Sequence, residues 1–205
     1  MSNAFAAWLF LAVAATAPGS SSTPREVVQS AVGRVVAVLE ESSPTSLAGR
    51  DRTRAAIRRV AAELFDFDEM ARRALSRHWA GRTRAEQAEF VELFTDLLER
   101  AYITRIEAYS GEKVVYSGEA VDGRYALVRS RLVTSRRSEL GLDYRLHLVA
   151  GRWKVYDVLI DGVSFVSTYR SQFNRVIQSS SWADLLERLR RKRIEIRTAG
   201  ERTQS

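Results

Sequence analysis

Arg152-Trp153-Lys154-Val155-Tyr156-Asp157-Val158-Leu159-Ile160-Asp161-Gly162-Val163-Ser164-Phe165, continuing through Val166 to Thr168-Tyr169-Arg170-Ser171-Gln172-Phe173, decides the fold. Its first half reads as a strand over 152–160. Its second half places Phe165, Val166, Tyr169, Phe173, Val176 and Ile177 at helical spacing, which predicts an amphipathic helix over about 163–178. The strand feeds the helix directly, and no nucleophile motif interrupts the junction. Upstream the apolar period is two: strands are predicted over about 112–120, 123–134 and 139–150, separated by turns at Asp122-Gly123, Arg136-Arg137 and Ala150-Gly151. In the third of these strands Leu140, Leu142, Tyr144, Leu146 and Leu148 share one face, and Gly141, Asp143, Arg145 and His147 share the other. One face is dry and the other wet, the pattern of an antiparallel meander covered by helices on one side.

The helices that cover it are legible at both ends of the chain. Thr23, Pro24 and Glu26 form a helix start with a capping box, followed by Val27, Val28, Ala31, Val35 and Val38 to about Glu41. Residues 42–49, with Pro44, read as a loop. A second helix over about 51–64 sets Ile57, Val60, Ala61 and Leu64 against an arginine-rich face. Asp68 is the expected cap of a third helix that runs through Leu75 to Trp79. Thr83 and Glu86 open a fourth through another capping box, and it runs to about Tyr109 with Phe90, Leu93, Phe94, Leu97, Ala101, Tyr102 and Ile106 inward. A closing helix over about 182–193 uses Leu185, Leu186 and Leu189. The expected fold is therefore α+β: a four-stranded antiparallel meander covered on one face by about six helices.

A chain of 205 residues, 45% hydrophobic and 28% charged, has the composition of one folded domain with a sizeable core. Its 32 basic residues outweigh 25 acidic ones, a formal charge of +7, and all but Lys113, Lys154 and Lys192 are arginine. Such a surface attracts nucleic acid, anionic lipid headgroups and acidic proteins alike, and chooses none of them. The absence of cysteine removes disulfides, thiolate metal sites and cysteine nucleophiles. Residues 4–17 are apolar, too few to cross a bilayer, and end in Ala15-Thr16-Ala17, so residues 1–17 read as a secretory signal. Residues 18–22 then read as a linker, 23–193 as one domain and 194–205 as a charged, poorly ordered tail.

Catalytic chemistry has no purchase here. His78 and His147 are the only histidines and lie far apart in sequence, one beside Trp79 and one on the polar face of a strand. Asp66, Asp68 and Glu69 lack the glycine and distal glutamate of a calcium loop, and helix capping accounts for Asp68. No phosphate-binding glycine motif occurs, and Ser164 does not sit in a G-x-S-x-G elbow. The run from Arg188 to Arg193 reads as the solvated face of a helix whose leucines point inward. Aromatic residues are not interleaved with the basic clusters, as a single-strand nucleic-acid platform requires.

The stretch from Trp153 to Phe173 resembles the signature W-K-V-x-D-V-x-I-x-G-V-S-x-V-x-x-Y-R-x-Q-F of the MlaC family, also called toluene-tolerance auxiliary proteins. The likeness continues in Phe67-Asp68, Ala74-Leu75, His78-Trp79, Gln87, Phe90, Phe94, Leu97-Leu98 and Tyr102, and loosely in residues 182–189, so that it covers about residues 25–193. Ser76 stands where that family usually has glycine. The resemblance implies a non-enzymatic periplasmic carrier that holds phospholipid acyl chains in an apolar cavity between helices and sheet, with no metal and no cofactor. It implies shuttling between an outer-membrane lipoprotein complex and an inner-membrane ABC transporter with its substrate-binding-domain subunit, in the service of outer-membrane lipid asymmetry. It further implies a monomer that binds no nucleic acid. Inward phase together with the likeness selects Trp79, Phe94, Leu97, Leu98, Ala101 and Tyr102 on the helical side of the cavity. Leu142, Tyr144, Leu146, Val163, Phe165, Tyr169 and Phe173 follow from the sheet and the closing helix. Arg145 and Arg170 are placed near an anionic headgroup or an acidic partner. A hopanoid or other isoprenoid carrier is the alternative within lipid transport; a polyanion-binding module resting on the basic surface is the alternative outside it.

Overall fold

The structure, a computed structural model, describes residues 22–41, 46–134 and 138–191. The expected signal, the charged tail, the Arg136-Arg137 turn and nearly all of the linker lie outside the described residues.

Six α-helices and five strands follow in the order α1 (Pro24–Glu41), α2 (Leu47–Leu64), α3 (Phe67–Leu75), α4 (Arg84–Glu107), β1 (Lys113–Asp122), β2 (Tyr125–Val133), β3 (Glu139–Val149), β4 (Arg152–Ile160), β5 (Val163–Ser164), α5 (Phe165–Ser179) and α6 (Trp182–Arg190). None of these helices is long and apolar enough to cross a membrane. The sheet is an antiparallel meander in the order β1-β2-β3-β4-β5. It has one strand more than the pattern predicts. β5 is two residues that pair Val163 with Ile160 and Ser164 with Leu159, too short to show a period, and so α5 begins at Phe165 rather than Val163.

Local chemistry sets the helix ends. Both expected capping boxes form: the Thr23 amide donates to Glu26 at 2.8 Å, and the Thr83 amide to Glu86 at 2.8 Å. The cap of α3 is Asp66 rather than Asp68; its Oδ1 accepts from the Glu69 amide at 2.9 Å while its own amide donates to the Val155 carbonyl at 2.8 Å. The second bond explains the choice. Phe65 makes a parallel bridge to Val155, which pins the α2–α3 corner to β4, and only Asp66 is then in position to cap. α3 ends at Ser76, with φ 50° and ψ −121°, and a single 3₁₀ turn (Ser76–His78) follows. A non-glycine residue held there stores about 1–3 kcal/mol of strain. Replacing Ser76 with glycine is accordingly expected to raise stability by about 1 kcal/mol and Tm by about 2–4 °C, read by thermal melting; an unchanged or lowered Tm would contradict that reading of the corner.

The interior is divided. One cluster packs the sheet's apolar face, through Ala126, Val128, Tyr144, Leu146, Val155 and Val158, against Val28 and Ala31 of α1 and Val60 and Leu64 of α2. The other is built wholly from helices: Met70, Ala71, Ala74 and Leu75 of α3, Phe90, Phe94, Leu97 and Leu98 of α4, Val166, Tyr169 and Phe173 of α5, and Leu185, Leu186 and Leu189 of α6. Burial at this scale dominates the folding free energy, at about 25 cal/mol per Å² of apolar surface. Phe65, at the pinned corner, packs against both clusters.

Candidate functional site

An aromatic core organises the helical cluster. The Phe94 ring stands edge-on to Tyr169 (centroids 5.0 Å apart, 80° between planes) and to Phe173 (5.6 Å, 80°), and Phe90 meets Phe173 at 5.5 Å and 84°. Edge-to-face pairs like these fix ring orientation as well as burying area. Trp79 packs on the same cluster, and its carbonyl accepts from the Gln87 amide at 3.1 Å.

Besides Phe65 at the corner, the two clusters meet at an aromatic stack. Tyr102 of α4, which packs on the helical cluster, lies parallel to Phe165 of α5, which packs on the sheet cluster (4.6 Å, 21°). Leu142 of β3 is half-buried against the sheet cluster, and it pairs across the strands with Ile160 just before β5. The residues expected to line one cavity are thus distributed: Trp79, Phe94, Leu97, Leu98, Tyr102, Tyr169 and Phe173 on the helical side, Leu142, Tyr144, Leu146 and Phe165 on the sheet side, joined through Tyr102 and Phe165. Ala101 is half-buried on α4 and belongs to neither cluster. Val163 is 47% exposed, because its two-residue strand carries it to the surface.

Two hydroxyls in these clusters stand out. Tyr116 Oη, against the sheet core, is buried without a hydrogen-bond partner among the described residues, and Tyr169 Oη, in the helical core, is buried beside the Tyr102 hydroxyl, its hydrogen-bonding neighbour. Burial pushes the Tyr116 phenol up to about 12 and raises that of Tyr169 further. Both therefore stay neutral donors at any physiological pH. A buried donor left unmatched costs about 1–3 kcal/mol, which marks Tyr116 as a place where a polar group of a ligand would be stabilised.

Neither arginine singled out beforehand faces this seam as a free cation. Arg145 pairs with Asp157 at 3.1 Å, and Arg170 Nε donates to the Arg73 carbonyl at 3.0 Å. Asp157 is the residue that pattern reading passes over. It is 3% exposed in β4 and accepts three bonds: from Arg145 Nη1, from Ser164 Oγ at 2.6 Å, and from the Val166 amide at 3.1 Å. One carboxylate thereby ties β3, β4, the end of β5 and the first turn of α5 together. Its sequence signal is a charge inside the apolar run 153–160, which a buried strand tolerates only if that charge is bonded. His147 Nε2 lies 2.9 Å from Asp66 Oδ2, on the residue that caps α3, and His78 Nε2 lies 3.0 Å from Asn174 Oδ1. His147 therefore touches a helix cap and His78 the body of α5, and the two sit in separate places. Among the described residues no group of three or more histidine, aspartate or glutamate side chains is placed to hold a metal ion.

The MlaC protein family model matches residues 29–191. The chain is 24% identical over 161 residues to toluene tolerance protein ttg2D of Pseudomonas putida, covering 78% of this chain and 75% of that protein. Its fold is similar, with a TM-score of 0.74 and 26% identity, to a phospholipid-binding protein from Ralstonia solanacearum whose structure was solved in complex with a phospholipid. That similarity covers 83% of this chain and 97% of the other.

Proposed function

We propose, for a chain that belongs to the MlaC protein family, that it is a phospholipid carrier: it takes a diacyl lipid from one membrane component, shields the acyl chains from water and delivers the lipid to another. What carries this reading is the likeness to a phospholipid-bound protein over 97% of that protein's length. The apolar stretch at residues 4–17 supports export to the periplasm, the aqueous gap such a carrier has to cross. There an outer-membrane lipoprotein complex and an inner-membrane ABC transporter are the proposed partners between which the lipid moves.

The energetics decide what the protein has to supply. Two acyl chains with about 30 methylenes are worth roughly 20 kcal/mol or more when removed from water. The lipid does not cross an aqueous gap unaided at a useful rate, and the carrier must match that burial. The acyl chains lodge where the two clusters meet, between α4 and α5 on one side and the sheet on the other. The Tyr102–Phe165 stack that closes this seam is worth about 0.5–1.5 kcal/mol beyond its area. Parting it is a small cost beside the burial gained, so side-chain rotation opens the seam while the backbone ladder stays intact. The Tyr116 hydroxyl donates to an ester or phosphate oxygen. No covalent step is involved, and selectivity comes from shape and a few polar groups.

A transfer assay tests the carrier role. Vesicles holding a self-quenched fluorescent phospholipid are mixed with unlabelled acceptor vesicles across a membrane that passes protein but not vesicles. Protein-dependent dequenching is the expected result, and a rate equal to that without protein would overturn the reading.

A further inference from the structure

A second feature of the molecule lies on the opposite side of α5 from the seam. Ser171, Asn174, Arg175 and Gln178 line a shallow depression on the outer face of this helix. Arg77, in the 3₁₀ turn after α3, reaches the same place: its Nη2 donates to Asn174 Oδ1 at 2.6 Å. Arg170 stands one turn earlier on α5, with Nε bonded to the Arg73 carbonyl. All three arginines are exposed, and the atoms they bond are neutral.

Their electrostatic setting differs from that of the neighbouring helices. Arg72 and Arg73 share Glu69 as counter-charge, and Arg82 pairs with Glu86, Arg100 with Asp96 and Arg190 with Glu89. α5 contains no acidic residue, and none lines the depression. Arg77, Arg170 and Arg175 make no ion pair among the described residues and keep their full charge. The C-terminal carbonyls of α5 add partial negative charge, but that effect dies away within a turn. It acts on the Gln178 end and leaves the three guanidinium groups dominant.

From these observations we infer that the α5 outer face, through Arg77, Arg170 and Arg175, is a docking surface for a bilayer bearing anionic phospholipid headgroups. Charge complementarity points to phosphate: three guanidinium groups and the N–H groups of Gln178 face outward, while the Ser171 hydroxyl is spent on the Ser167 carbonyl at 3.0 Å and Asn174 Nδ2 donates to Gln178 Oε1 at 3.2 Å. A protein partner fits less well. Protein interfaces turn on buried aromatic or aliphatic anchors, and the large apolar side chains exposed on this molecule (Leu47, Val115, Val121, Tyr125, Val149, Val163) all lie on other elements. The surface orients the carrier against a membrane and is independent of what the seam holds.

Flotation of the full chain with vesicles tests it. Phosphatidylcholine vesicles containing a quarter phosphatidylglycerol are expected to carry the protein upward at low ionic strength, and pure phosphatidylcholine vesicles are not. With roughly a fivefold contribution from each arginine near an anionic surface, R77A/R175A should weaken partitioning by about 30-fold. R52A/R59A removes the same net charge from the exposed face of α2 and should stay within about threefold of wild type. Arg175→Gln covers the case in which R77A disturbs folding, since the Arg175 side chain makes no hydrogen bond among the described residues; a loss of about fivefold is expected. Equal losses for the two double variants, or no preference for the anionic vesicles, would overturn the proposal.

Discussion

Leu142→Glu is expected to reduce the phospholipid that co-purifies with this protein by about 100-fold. Leu142 sits on the sheet side of the seam, half-buried against the cluster that Phe165 also covers. A carboxylate there has either to lose its hydration against the acyl chains or to be neutralised, at a cost of several kcal/mol. A penalty of about 2.7 kcal/mol is already a factor of 100 in affinity. Because Leu142 is not fully buried in the protein alone, the loss of folding stability should be smaller, about 1–2 kcal/mol. That separation between lipid load and stability makes the variant informative. Lipid extracted per mole of folded protein is the measurement, with Leu142→Met as the volume-conserving control. A Leu142→Glu protein that still holds equimolar phospholipid would move the acyl chains away from this seam.

Asp157→Ala carries the largest expected cost to the fold. The substitution strips the partner from the buried Val166 amide and from Ser164 Oγ. It also leaves Arg145 without its counter-charge, although that side chain is 43% exposed and water can take over part of the role. An amide orphaned in the interior costs about 1–3 kcal/mol, and the lost charge-assisted bonds add to this, for a total of about 3 kcal/mol. At roughly 2–4 °C per kcal/mol for a domain of this size, Tm should fall by about 6–12 °C. Asp157→Asn keeps an acceptor for the Val166 amide and should cost about half as much. Chemical denaturation resolves the two; an Asp157→Ala variant within about 0.5 kcal/mol of wild type would show that the start of α5 is held by packing alone.

Local signals in the chain were strong and pairing signals weak. Thr23 with Glu26, and Thr83 with Glu86, announce helix starts because both members of a capping box lie within one turn. The alternation of Leu140, Leu142, Tyr144, Leu146 and Leu148 marks the inner face of β3 for a similar reason, since a period of two needs only one strand to be seen. β5 escaped because two residues have no period, and Val163 was assigned inward on a helical phase that begins only at Phe165. Local sequence points to Asp68 as the cap of α3, and the bridge from Phe65 to Val155, which joins residues 90 positions apart, places Asp66 there instead.

The division of the core was also beyond pattern reading. Inward phase tells which face of a helix is buried but not what it is buried against. Phe94 and Leu146 therefore looked like two walls of one cavity, whereas each belongs to its own cluster. Only packing identifies Phe65 and the Tyr102–Phe165 stack as places where the clusters touch. The depression on α5 was invisible for another reason: Arg77 and Asn174 are 97 residues apart and meet through the docking of α3 on α5.

Native mass spectrometry of the protein exported to a bacterial periplasm, followed by denaturation and lipid analysis of the same sample, tests the carrier reading most directly. One diacyl phospholipid per chain, released on denaturation, is the predicted result. A chain that arrives free of lipid, and that also takes none up from vesicles, would contradict it while leaving the fold as described.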